Sequence, residues 1–108
     1  VFANATNQII ITSNLKHQRL EPIEKLVKSC IKGNSTAQEE LYKMFASKMF
    51  GVCLLYTKEY DAAKDVLQEG FVKVFNKLDT FRFDGSFEGW VRRIMVNTAL
   101  ERYRKNYY

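Results

Sequence analysis

From residue 22 onward, apolar side chains return at steps of three and four, the period of helices that each bury one face. Before that, residues 1–20 mix Asn, Thr, Gln and Ser around one apolar triplet, Ile9 to Ile11, and are expected to form a flexible lead-in to a domain spanning 21–108. Pro22 suits a first helical turn, where its missing N–H costs nothing. Ile23, Leu26, Val27, Cys30 and Ile31 then form a stripe that Gly33 ends. Ser35 followed by Gln38 reads as a capping box for a second helix, with Leu41, Phe45, Met49, Val52, Cys53 and Tyr56 inside. Asp61 is placed to cap a third helix that buries Ala63, Val66, Leu67, Phe71, Val74, Phe75 and Leu78 and turns Asp65, Gln68, Glu69, Val72 and Asn76 outward. Gly70 inside it costs about 1 kcal/mol relative to Ala, so either a neighbouring helix approaches closely there or the cost is tolerated.

The run Asp79 to Ser86 breaks the pattern for one loop, with turn chemistry at Asp84-Gly85 and an N-cap at Ser86. A fourth helix follows to near Lys105, with Phe87, Trp90, Val91, Ile94 and Thr98 toward the core. No strand-like alternation occurs after residue 20, so the expected fold is all-α, a compact antiparallel helical bundle of about four helices.

Charge refines this picture. The 108 residues carry 17 Lys and Arg against 12 Asp and Glu, a formal net charge of +5. From Glu59 to Gly70 the local balance is acidic, through Glu59, Asp61, Asp65 and Glu69 against Lys64. From Arg92 to Lys105 it is basic, through Arg92, Arg93, Arg102, Arg104 and Lys105 against Glu101. Two faces of opposite sign imply two partners or plain solvation, and charge alone favours solvation. Cys30 and Cys53 sit at apolar positions without a CxxC spacing and read as buried thiols, in keeping with a cytoplasmic protein. No apolar run reaches the roughly 20 residues of a membrane span, so no membrane partner is expected.

At about 100° per residue, Arg93, Asn97, Leu100 and Arg104 share one stripe of the fourth helix, placed beside its core face. Guanidinium forks match phosphates and base edges, and a carboxamide offers both a donor and an acceptor to a base. One at a time, each is more economically read as a solvated flank. As a set they follow a loop whose Phe81 and Phe83 no helix buries by periodicity. Loop aromatics beside cations suit an unstacked base, although at least one ring is expected to pack beneath the loop.

The string DAAKDVLQEGFVKVFNKLDTFRFDGSFEGWVRRIMVNTALERYRKN resembles the second conserved region of sigma factors of the extracytoplasmic-function (ECF) type. It carries an Asp-x-x-Gln-Glu-x-Phe helix, a loop with Phe-Arg and Asp-Gly-Ser, then Phe-x-x-Trp with Ile-x-x-Asn and basic residues downstream. The likeness extends over about residues 22–106 and implies a sigma region 2-like bundle that binds core RNA polymerase and helps melt the minus-ten promoter element. It assigns Asp65, Gln68, Glu69 and Val72 to the clamp helices of the polymerase largest subunit. Phe83, Asp84, Gly85 and Ser86 are assigned to a pocket for a flipped promoter base, and Asn97 supports that pocket. Arg93, Arg104 and Lys105 are assigned to the strand backbone or duplex edge; Trp90 matches a family tryptophan, but its wheel position points into the core and gives it mainly to packing. Promoter DNA, including its unpaired strand, is thus the second partner, with room for an anti-sigma factor. Lys64, Gly70, Phe75, Met95 and Val96 depart from the usual residues, which bears on promoter preference and core affinity. The second helix-turn-helix domain usual in the family does not follow Tyr108, so a piece of a longer protein is expected.

A helical protein-interaction adaptor without DNA binding explains the amphipathic helices equally well, and differs in having no salt-sensitive DNA affinity to lose. An enzyme is the weakest reading. His17 is the only histidine and lies in the lead-in, which leaves general-base and zinc arrangements without parts, so no catalytic residue, metal or cofactor is expected. Glu39 and Glu40 are neighbours on a helix surface and read as solvated.

Overall fold

A computed structural model describes the backbone of residues 15–107 and the side chains of residues 22–105. The elements in chain order are α1 (Leu15–Ile31), α2 (Ser35–Thr57), α3 (Tyr60–Lys77), a single 3-10 turn (Leu78–Thr80) and α4 (Phe87–Tyr107). The described residues contain no strand, as the all-α reading expects. Helices α2, α3 and α4 each pack against the other two, while α1 lies across α2 and the 3-10 turn.

The helix ends correct three details. First, α1 begins at Leu15, so Pro22 lies inside it rather than in its first turn. The ring there forgoes one backbone hydrogen bond, and the rest of the turn continues around it. Of the expected lead-in, residues 1–14 lie outside the described residues. Second, no Ser35–Gln38 capping box forms. Gly33 adopts a φ of 91° and closes α1 as a Schellman motif, its N–H donating to Cys30 O and that of Asn34 to Ser29 O. Asn34, extended just beyond it, then becomes the N-cap of α2 by accepting from Ala37 N at 3.0 Å. Gln38 instead donates through Nε2 to Cys30 O at 3.1 Å and ties α2 back to the end of α1. Third, Asp61 does not cap α3. Left-handed Lys58 ends α2, Glu59 takes the N-cap position without a side-chain bond, and Asp61 sits in the first turn, where its charge meets the helix dipole.

The interior is close to the periodicity reading. Val27, Cys30, Leu41, Phe45, Met49, Val52, Cys53, Ala63, Val66, Leu67, Phe71, Val74, Leu78, Phe87, Val91 and Thr98 are buried. Thr98 donates to Ile94 O at 2.7 Å, so its hydroxyl is satisfied within the core. Tyr56 departs from expectation: it stands at the frayed edge of the stripe and is 47% exposed. Ile31, also expected inside, is exposed near the end of α1. Trp90 and Ile94 are only partly buried, and Met95 and Ala99 fill the inner face of α4 instead.

Gly70 of α3 faces the side chain of Met95 on α4. A Cβ on it would stand 2.3 Å from Met95 Sδ, well inside contact distance. The glycine therefore leaves room for the end of the Met95 side chain, and the helix-propensity cost of about 1 kcal/mol is offset by seating a fully buried Met95.

Candidate functional site

The 3-10 turn and the loop after it set the start of α4. Thr80 donates through Oγ1 to Lys77 O at 2.7 Å, and Phe81 N donates to Leu78 O at 3.2 Å. Phe81 then swings its ring against Phe87 and Trp90, at centroid distances of 5.2 and 5.4 Å. Phe83 packs edge-on to Phe81 at 4.8 Å while its backbone is held in the left-handed region at φ 61°. A bulky side chain adopts that conformation only where its surroundings impose it. Both loop rings are thus half-buried, and Phe83 forms the outermost edge of the aromatic cluster. Beyond it Asp84, Gly85 and Ser86 are exposed, and Ser86 caps α4 as expected by accepting from Gly89 N at 2.9 Å.

Arg93, Asn97, Leu100 and Arg104 are all exposed, together with Lys105. Their stripe lies across α4 from buried Val91, Met95 and Thr98, rather than beside that face. The side chains of Arg93 and Asn97 make no hydrogen bond or ion pair with another described residue, so their polar groups are available to a ligand. Trp90, assigned by its wheel position to packing, sits between the two regions with one part under Phe81 and one part at the surface.

The acidic face of α3 is equally open. Asp65, Gln68, Glu69 and Val72 are exposed, the apolar Val72 at 56%. Beside them a recess of about 660 Å³ runs between α2 and α3. Its wall includes Tyr42, Phe71 and Phe75, with Tyr42 and Phe71 rings 4.8 Å apart and Phe71 and Phe75 6.2 Å apart. Periodicity did not reveal Tyr42 as part of this surface, because it stands one position after buried Leu41 and reads as a solvated flank. Lys64 borders the same recess and lies 5.5 Å above the Tyr60 ring.

The charge division is not complete. Asp65 pairs with Arg102 of α4 at 3.3 Å, and Lys73 of α3 pairs with Glu101 at 3.0 Å. The Lys73 hydrogen bond, assisted by its charge, holds the Glu101 carboxyl below the usual range. A third pair, Lys48–Glu88 at 3.1 Å, joins α2 to the first turn of α4. All three are surface pairs, worth well under ~1 kcal/mol each. Burial pushes the Cys30 thiol up and the Cys53 thiol up to about 11, so both stay protonated at neutral pH. Among the described residues no cluster of His, Cys, Asp or Glu could hold a metal ion, and no helix is long and apolar enough to cross a membrane.

Residues 41–107 match the family model of sigma-70 region 2. The chain is 33% identical over 79 residues to the RNA polymerase sigma-H factor of Pseudomonas aeruginosa, spanning 73% of this chain and 41% of that protein. It is 28% identical over 83 residues to the ECF RNA polymerase sigma factor SigW of Bacillus subtilis, 77% of this chain and 44% of that protein. Identity reaches 38% over 82 residues with the ECF RNA polymerase sigma-E factor of Escherichia coli, 76% of this chain and 40% of that protein. The chain therefore spans less than half the length of these relatives. An NMR structure of an engineered region 2 of sigmaE in complex with GTAAAA superposes with a TM-score of 0.67 at 32% identity, over 74% of this chain and 83% of that one. With the helices, the capped loop and the matched span in agreement, the chain belongs to the sigma-70 region 2 family and is of the ECF sigma factor type.

Proposed function

We propose that the chain acts in bacterial transcription initiation, binding core RNA polymerase through α3 and unpaired minus-ten promoter DNA through the loop and α4. On α3, Asp65, Gln68 and Glu69 meet a basic partner surface, and Val72 contributes an apolar contact at its edge. On the other side, Phe83, Asp84, Gly85 and Ser86 receive a base everted from the strand, and Asn97 pairs with its edge. Arg93, Arg104 and Lys105 follow the phosphates. Removing a base from the stack costs a few kcal/mol, and a pocket complementary to one base turns that cost into sequence choice.

The single observation that carries this reading is the exposure of Arg93 and Asn97, whose side chains pair with no other described residue, on the helix that the Phe83 loop leads into, in a chain of this family. The domain makes and breaks no covalent bond in this role, and its place is the cytoplasm, with the polymerase. Family membership disfavours the adaptor without DNA binding.

A mobility-shift assay with reconstituted polymerase and fork-junction DNA tests the proposal. A ternary complex that dissolves steeply with salt is expected, because phosphate contacts release counterions. Capture of polymerase without any DNA complex would leave only the adaptor reading.

A further inference from the structure

At the far end of α4 from the Phe83 loop lies a cleft of about 410 Å³ that the promoter-binding reading does not use. Its floor is the small residues Ala62 and Ala99, and its rim carries the phenols Tyr56 and Tyr103, which are 47% and 57% exposed. Two cations border it. Lys58 holds the left-handed C-cap of α2, and Arg102 stands between this cleft and a neighbouring one lined by Glu69, Glu101 and Lys105. Among the described residues lining it, Glu59 is the only acid against Lys58 and Arg102, so their charge is net positive.

Arg102 donates through Nη2 to Asp65 at 3.3 Å, a single surface bond that leaves most of its five donors for another acceptor. Tyr56 is the residue whose exposure broke the apolar stripe of α2, so burial does not account for the ring. Rings above a shallow apolar floor, with a lysine and an arginine at the rim, match a planar heterocycle that carries an anionic group.

We infer that this cleft is a second nucleotide-binding site, taking the base against Tyr56 and Tyr103 and the phosphate on Lys58 and Arg102. A nucleotide could reach it from either of two sources. The strand lying on Arg93, Asn97 and Arg104 reaches the last turns of α4, and Tyr103 projects about 100° around the helix from Arg104, on the side of Ala99 and Arg102, so a strand that continues past Arg104 enters the cleft by wrapping around α4. A free mononucleotide offers the same chemistry. The inference goes beyond the promoter-binding reading, since mononucleotide binding needs no promoter DNA.

The test uses the intact chain and two single strands, one of about four nucleotides and one of about twelve. At ~3.4 Å per stacked nucleotide the first is shorter, and the second longer, than the roughly 30 Å of α4. The double variant Tyr56→Ala with Lys58→Gly removes a ring and a cation, and glycine suits the left-handed cap. Circular dichroism should be unchanged. Fluorescence anisotropy should then report about a tenfold loss of affinity for the long strand and no change for the short one, while Tyr56→Phe, which keeps the ring, stays near the parent. Equal losses on both strands, or none on the long strand, overturn the second site.

The sources separate in a parallel titration with a deoxynucleoside monophosphate, followed by tyrosine fluorescence. Saturable binding that the double variant loses assigns the site to free nucleotides as well. No saturation, with the long-strand loss present, restricts it to the strand. If the parent binds neither strand, the promoter-binding reading fails. The cleft is then decided by the monophosphate alone, and absence of saturation there overturns it.

Discussion

Helix α3 and the loop leading into α4 present their candidate contacts in physically different ways. The face carrying Asp65, Gln68, Glu69 and Val72 has buried residues behind it at every turn, from Ala63 through Val74, so its side chains project from a fixed rod. The loop has only a 3-10 turn and a stack of rings beneath it, and one of those rings belongs to Phe83, whose backbone is itself in an unfavourable region. A rod suits docking onto a preformed partner surface, where order lost on binding is small. A loop with stored strain suits a pocket that reshapes around an everted base. Helices α3 and α4 meet at Gly70 and Met95, and also through the surface pairs Asp65–Arg102 and Lys73–Glu101, away from the loop.

The most damaging way to break the rod is at its seat. Met95→Ala should destabilise the fold by about 2–5 kcal/mol in urea unfolding, because it opens a cavity against Gly70. Gly70→Ala in the parent should also destabilise, by about 1 kcal/mol, since the added methyl must push the flexible end of the buried Met95 side chain aside. In the Met95→Ala background the same substitution should change sign and stabilise, by filling the cavity and improving helix propensity. A destabilising Gly70→Ala in both backgrounds would mean that the contact with Met95 does not set the packing.

The loop is sharpened by changes that spare the fold. Asn97→Ala should cost about 1–3 kcal/mol in binding of single-stranded minus-ten DNA with helicity unchanged, the value of a good base contact. Unchanged affinity would remove Asn97 from the interface. Replacing Asp65 and Gln68 together by Ala should weaken capture of polymerase in a pull-down, and leave a short DNA strand bound as before. Equal capture would refute the docking face. Phe83→Gly relieves the left-handed φ but deletes the ring on Phe81, so melting temperature should move little while affinity for unpaired DNA drops.

The smallest effect is expected at the surface pair. Lys73 lowers the folded carboxyl of Glu101, so its contribution is present above the ordinary glutamate range and is lost as pH falls through the lowered value. Glu101→Gln should therefore lower stability by a few tenths of a kcal/mol at neutral pH. The difference from the parent should vanish in acid, which thermal unfolding at the two extremes would measure.

Much of the fold was readable as periodicity, since burial of one stripe per helix is a local property of spacing. Leu41, Val66, Val74 and Val91 fell inside for that reason. Helix ends were less legible. The same Asn-Ser pair offers two N-caps, and the choice of Asn34 rests on the left-handed Gly33 before it. Among the candidate site residues, the exposure of Asp65, Gln68, Glu69, Arg93 and Asn97 was readable from the helical wheel, because exposure on a helix is also periodic. The recess beside Tyr42 and the cleft between Tyr56 and Tyr103 were not, because each is walled by two or more elements far apart in sequence.

The chain by itself thus determined four amphipathic helices, the loop between Asp79 and Ser86, and the sign of each charged face, all consequences of side-chain order along one strand of backbone. Only the packed molecule decided that Gly70 faces Met95, that left-handed Phe83 lays its ring on Phe81, and that Asp65 pairs with Arg102 between two clefts. Those outcomes depend on distances between residues many turns apart, and van der Waals contact and hydrogen bonding act over a few ångströms that sequence spacing does not encode.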